Sequence, residues 1–234
     1  LIVKVDDLDV NAETYQQAAD AIRGEEGSKV NITYRREAED TTIEVTRRKV
    51  DIPTVFSRII DGNIGYVQVT EFNESTATQF SNQVDTLIGQ GAQALVFDMR
   101  NNGGGTLSSV TKMLDKLLPE GDIISAEYKD GTVEVLAKSD ENEIDLPMVV
   151  LTNNRTASAA ELFTQALRDY GKAKSVGVTT YGKGTMQTVK KLNDGSAVNV
   201  TVARYLPPSG VSYDGEGIKP DYEVELTADM EANL

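Results

Sequence analysis

The sequence predicts an α/β protein that carries a small mixed module at its N-terminal end, and three observations point there. Past Lys49 the strand-like and helix-like patterns alternate. Two short apolar runs, Ala94 to Met99 and Pro147 to Thr152, read as buried strands. The second run leads into a helical pattern and then another strand, a crossover that favours parallel pairing.

Taken in order, Leu1 to Val5 is a strand, Ala12 to Ile22 a helix ended by Gly24, and Lys29 to Arg35 and Thr41 to Arg47 are two further strands. These form the module, residues 1–49, and the remainder, 50–234, is the larger domain. There Ile64 to Thr70 alternates as a strand does, and Ser75 to Ile88 has helical spacing. The strand Ala94 to Met99 breaks at Gly103 to Gly105. A helix with Leu107, Val110, Met113, Leu114 and Leu117 on its apolar face follows, ended by Pro119 and Gly121. An Asp130-Gly131 pair between strand-like runs marks a hairpin. After the strand Pro147 to Thr152 come a helix from Ala157 to Tyr170, closed by Gly171, and a strand from Lys174 to Val178. Two strands around Asp194-Gly195 fill Met186 to Tyr205, and no internal repeat is visible.

The chain has 234 residues, enough to bury a core without a metal or a disulfide. Its 23 Lys and Arg against 37 Asp and Glu give a formal charge of −14, which repels a phosphate backbone and argues against a nucleic-acid partner. Having no Cys and no His, it can build neither a cysteine protease nor a Ser-His-Asp triad, so any nucleophile must be activated by another group. Zinc sites of the Cys and His kind are excluded as well, leaving only hard cations held by oxygen. No apolar run is long enough to span a membrane and no signal peptide is visible. The opening without Met reads as a piece of a longer protein, with any signal or membrane anchor ahead of Leu1.

Three segments can carry chemistry. Thr156 to Glu161 lies between a buried strand and a helix, where a serine hydroxyl meets helix amides; Ser158 and Glu161 equally match an S-x-x-E capping box. In Tyr181 to Gln187 a lysine stands between two glycines, the setting of a solvated turn. With no histidine present, a neutral Lys183 is also the natural general base for a serine. Gly177 to Gly184 nearly matches a phosphate-binding loop, but Gly184 stands where the Ser or Thr should be. Asp98 to Gly105 ends a buried strand in three glycines, which suits either an oxyanion hole or a flexible loop. Asp98, Glu161 and Asp169 are the acids a glycosidase would need, but nothing in the sequence sets any two face to face.

These segments, with Ile22-Arg23-Gly24, Gly27, Gly65-Tyr66 and Gly217-Ile218-Lys219-Pro220-Asp221, resemble the carboxyl-terminal processing peptidases, tail-specific serine proteases, over nearly the whole chain. The resemblance implies Ser158 rather than Ser175 as nucleophile, Lys183 as general base and Gln187 as the residue that orients the lysine. The interval from 158 to 183 (183 − 158 = 25) agrees with the family arrangement. It also implies an oxyanion hole from the backbone amides of Gly104 and Ala159. Family members often have Pro at the place of Gly103 and Ser at that of Ala160, neither of which performs the chemistry. The implied fold is a crotonase- and Clp-like spiral core, and the module resembles the later part of a PDZ domain whose carboxylate-binding loop would precede Leu1.

The expected activity is endoproteolysis of unfolded or C-terminally exposed polypeptides through an acyl-enzyme, outside the cytoplasm of a bacterium and with no cofactor or metal. Self-association is left open. A scaffold that binds peptides on a silent protease core is the alternative, and a nucleotide-using enzyme at the Gly177 loop ranks below both.

Overall fold

The structure, a computed structural model, describes residues 1–50 and 52–231; residue 51 and residues 232–234, inside the predicted 50–234 span, lie outside the described residues. The chain divides into two compact units, Leu1–Ile52 and Pro53–Leu234.

In the first unit β1 (Ile2–Val5), β2 (Leu8–Asp9), α1 (Tyr15–Ile22), β3 (Lys29–Arg36) and β4 (Glu39–Thr46) follow one another. The strands make an antiparallel sheet in the order β2-β1-β3-β4. Its core is small: Val5, Ala18 and Val30, with Leu8, Ile22, Ile32 and Val45 packed around them. The helix begins three residues later than its spacing predicts. Asn11 Oδ1 accepts from the amides of Glu13 at 2.8 Å and Thr14 at 3.1 Å, which holds the chain in an Asx turn ahead of the helix. At the other end of α1, Arg47 donates to the carbonyls of Ala21 at 2.7 Å and Ile22 at 2.9 Å, which the helix end leaves unpaired, and to that of Lys29 in β3 at 2.8 Å. A Cβ on Gly24 would fall 2.8 Å from Arg47 Nε, so glycine lets the guanidinium reach them. With so few buried apolar side chains to share the load, Arg47→Ala is expected to cost the unit about 1–3 kcal/mol, read as a fall in its thermal unfolding midpoint.

The second unit holds two sheets. Its elements are β5 (Val55–Ile60), β6 (Ile64–Val69), α2 (Thr76–Gly89), β7 (Ala94–Asp98), α3 (Leu107–Asp115), β8 (Gly121–Tyr128), β9 (Val133–Ser139), β10 (Met148–Thr152), α4 (Ala159–Asp169), β11 (Ala173–Gly177), β12 (Thr185–Lys191), β13 (Ala197–Leu206), β14 (Tyr222–Glu223) and α5 (Ala228–Glu231). A six-stranded sheet runs β14-β11-β10-β7-β6-β5, parallel except for the edge strand β5; a four-stranded antiparallel sheet runs β12-β13-β8-β9. The crossover from β10 through α4 to β11 is parallel, with Met148 beside Ala173 and Thr152 beside Gly177.

Strand β5 was not foreseen, although Asp61, Gly62 and Asn63, the first two at φ 47° and 83°, form the three-residue turn that joins it to β6. On the sheet the side chains of α2, α3 and α4 close over a single apolar core. Phe163 of α4 stands edge-on to Phe97 of β7 at 5.3 Å and to Phe80 of α2 at 6.1 Å, fixing the helix against the strand ends.

Candidate active site

The carboxyl ends of β7 and β10 lie side by side, and each continues into a loop bolted to the other. Thr156 Oγ1 donates to the carbonyl of Met99 at 2.8 Å, and the Asn101 amide donates to Asn153 Oδ1 at 3.0 Å. Asn153 Nδ2 returns a bond to Asn101 Oδ1 at 2.9 Å, and the Ala157 amide donates to the Asn102 carbonyl at 2.9 Å. Asn102 is fully buried, with Nδ2 donating to the Val69 carbonyl at 2.8 Å. A glycine loop that sequence alone leaves open between rigid and flexible is therefore held on both sides.

Ser158 sits where β10 has ended and α4 begins, at φ 56° and ψ −116°. Few non-glycine residues adopt a positive φ, and such strain persists only where the surroundings impose it, as at the exposed turns that present nucleophiles. Here they do: a Cβ on Gly104 would lie 2.8 Å from Ser158 Cβ and 2.9 Å from the Ala157 carbonyl oxygen, so the glycine loop presses directly on the serine turn. The next amide, that of Ala159, has no acceptor among the described residues and stands at the N-terminus of α4. Beside Ser158 a small cavity is lined by Gly105, Leu107, Ile124, Ala159, Leu162, Tyr205 and Tyr213. Burial, with the Glu161 carboxylate next in weight, holds the Tyr213 hydroxyl far above the usual phenol range, so it remains protonated.

The capping box and the nucleophile are compatible readings of one motif. Glu161 Oε2 accepts from the Ser158 amide at 2.8 Å, which is the reciprocal half of the box. The same carboxylate also receives the Lys183 amide at 2.8 Å, the Gly182 amide at 2.6 Å and the Thr180 hydroxyl at 2.6 Å. Sequence reasoning missed this hub. Its only signal was the S-x-x-E spacing, and the remaining donors come from the other side of β11.

The structure brings the backbones of Ser158 and Lys183 together but leaves their side chains unjoined. Lys183 is exposed, and its Nζ has no hydrogen-bond or ion-pair partner among the described residues. Two of the expected roles differ from the geometry found. Gln187 makes no bond to Lys183: it lies on β12, and its Oε1 accepts from Asn199 Nδ2 of β13 at 3.0 Å, across the hairpin register. The Gly104 amide donates to Asn102 Oδ1 at 2.8 Å, so it is already engaged, because the asparagine side chain folds back onto its own loop.

The remaining sequence candidates find structural explanations. Asp98 is buried, accepting from Tyr66 Oη at 2.6 Å and from Arg100 Nε at 2.8 Å. Burial first, then that hydrogen bond, pushes the Tyr66 hydroxyl up to about 12. Asp169 accepts from Gln165 Nε2 at 2.6 Å and from the Ser209 amide at 3.0 Å, so the three acids do not pair as in a glycosidase. The Gly177 loop does not cradle phosphate: the amides of Gly182 and Lys183 face Glu161, that of Gly184 faces Asp214 Oδ1 at 2.9 Å, and a strand rather than a helix follows. Asp221, closing the Gly217 motif, resists the effect of its burial; the Ser175 amide and the charge of Arg168 hold it below the usual carboxylate range. Among the described residues no helix is long and apolar enough to cross a membrane, and no cluster of three or more acids could hold a metal ion.

Comparison with known proteins identifies the family. The carboxy-terminal processing protease CtpA of Bacillus subtilis is 37% identical over 227 residues, covering 96% of this chain and 49% of that protein. A probable CtpA-like serine protease of Staphylococcus haemolyticus is 33% identical over 227 residues, covering 96% of this chain and 46% of that protein. The chain thus spans about half the length of the curated relatives it matches. Among solved structures, a photosystem II D1 C-terminal processing protease superposes with a TM-score of 0.69 at 34% identity, over 98% of this chain and 65% of that one. Residues 63–224, which include every element of the site, match the model of peptidase family S41, and the chain belongs to that family.

Proposed function

We propose that the protein is a serine endopeptidase that cleaves unfolded or C-terminally exposed polypeptides with a Ser158–Lys183 dyad. Ser158 Oγ attacks the peptide carbonyl carbon as Lys183 Nζ takes its proton. The C–N bond then breaks, the proton passes to the leaving amine, and an ester joins the acyl group to Ser158. Water attacks that ester with Lys183 again as base, releasing the acid and restoring the serine. The observation that carries this reading is the Ser158 turn, a non-glycine residue at positive φ whose following amide has no acceptor among the described residues and whose flank is a small, mostly apolar cavity. In this reading the Ala159 amide is one oxyanion donor, and the Gly104 amide joins it on leaving Asn102. Gln187 orients the lysine on leaving Asn199. The cavity favours a small apolar side chain ahead of the scissile bond. No cofactor takes part, and the protein acts outside the bacterial cytoplasm.

The test is covalent. Treated with a fluorophosphonate, the protein is expected to gain one adduct, mapped by peptide mass spectrometry to Ser158, and to lose in parallel its cleavage of a labelled unstructured protein. An adduct elsewhere, or cleavage that survives complete labelling of Ser158, would overturn the reading. Peptide binding without turnover, unchanged in Ser158→Ala, would place the protein among peptide-binding scaffolds instead.

A further inference from the structure

We infer that Glu161 is a positioning residue that sets the loop of the nucleophile against the loop of the base, an inference that rests on the dyad reading above. Glu161 is fully buried, and no cation faces it among the described residues. A buried carboxylate with no counter-charge is stable only when its lone pairs are filled by donors. Four donors fill them. Oε2 accepts from the amides of both Ser158 and Lys183, each at 2.8 Å, so these two nitrogens lie no farther apart than twice that distance. Oε1 accepts from the Thr180 hydroxyl and the Gly182 amide, each at 2.6 Å.

Helix capping does not account for this. A cap needs one acceptor oxygen turned to the first amides of α4, whereas Oε1 serves no amide of that helix and both its donors belong to the segment after β11. The Thr180 hydroxyl in turn accepts from the Ile218 amide at 2.7 Å, which ties the Gly217 motif to the same point. Gly182, at φ 90°, passes so close to that motif that a Cβ would lie 2.7 Å from the Gly217 amide nitrogen. Glu161 thus registers two separate segments on its two oxygen atoms, and a third through the Thr180 hydroxyl. A glutamine of the same shape would turn an NH₂ toward at least one backbone N–H and push the loops apart. Displacement of a reacting pair by about 1 Å costs on the order of 100-fold in rate.

The experiment measures kcat and KM on a labelled unstructured protein for wild type, Glu161→Gln, Thr180→Val and Thr180→Ser, with thermal unfolding of each. Glu161→Gln is expected to lower kcat about 100-fold with KM within about twofold of wild type. Thr180→Val should lower kcat by a smaller factor, about 10-fold, and Thr180→Ser, which restores the hydroxyl, should recover most of that loss. A folded Glu161→Gln protein with kcat within about threefold of wild type overturns the inference. So does a kcat loss in Thr180→Val that Thr180→Ser fails to recover, and this pair decides the matter if Glu161→Gln does not fold. Cleavage that persists in Ser158→Ala sinks the dyad reading itself, a result separate from any of these.

Discussion

Lys183→Ala is expected to abolish peptide cleavage, lowering kcat by about 10⁴-fold or more, and Lys183→Arg to do no better. Arginine keeps the charge and much of the length but cannot give up its proton, so it cannot serve as a base. The chain contains no histidine to take over. Ser158→Ala should fall equally far, and the double variant no farther, because groups that act as a unit are not additive when removed. The comparison is made on kcat with all variants shown to be folded. A Lys183→Arg protein that retains a tenth or more of wild-type kcat would rule lysine out as the base.

The second large effect is expected at Gly104. Its φ of 100° is one that L side chains rarely adopt, and its Cβ position is closed off by Ser158 Cβ at 2.8 Å, the Ala157 carbonyl oxygen at 2.9 Å and the Ala159 amide nitrogen at 3.1 Å. Gly104→Ala therefore carries backbone strain of about 1–3 kcal/mol and shifts the serine turn and the Ala159 amide together. A loss of about 100-fold in kcat should accompany a lower unfolding midpoint. Gly103→Ala is the control: it is exposed, and its Cβ would meet nothing within 4 Å, so activity and midpoint should stay near wild type. Equal behaviour of the two variants would show that the contact with Ser158 has no part in positioning it.

Much of the architecture was legible because burial writes itself into periodicity. The run Met148–Thr152, with Val150 fully buried, and the apolar face of α4 gave the crossover that carries the serine. Strand β5 is hard to read from sequence because it is an edge strand: Val55 is buried while Phe56 is 48% exposed, so its pattern lacks a clean alternation. Strand β14 is two residues long and has no pattern to read; it pairs with β11 at Val176 and Gly177.

Within the site, Ser158 and Lys183 read as a dyad only through resemblance to a family, since a capping serine and a turn lysine look the same. The hub at Glu161 stayed hidden for another reason. Three of its four donors are backbone amides, which every residue but proline possesses, so no side-chain signature announces them. Likewise, the Asn102 side chain that occupies the Gly104 amide and the Asn199 side chain that occupies Gln187 depend on loop geometry and hairpin register, neither of which spacing specifies.

The bonds of Glu161 also bear on how the protein comes to be made. A ribosome delivers Ser158 and Glu161 before it delivers Thr180, Lys183 and Ile218. Until the later segment emerges, the carboxylate lacks the Thr180, Gly182 and Lys183 donors and keeps its water, which opposes packing of the first turn of α4 into the core. The strained serine turn is completed by the docking of chain synthesised after it. A nascent or prematurely ended copy is accordingly expected to carry Ser158 in a loose turn, without the fixed geometry of the complete fold.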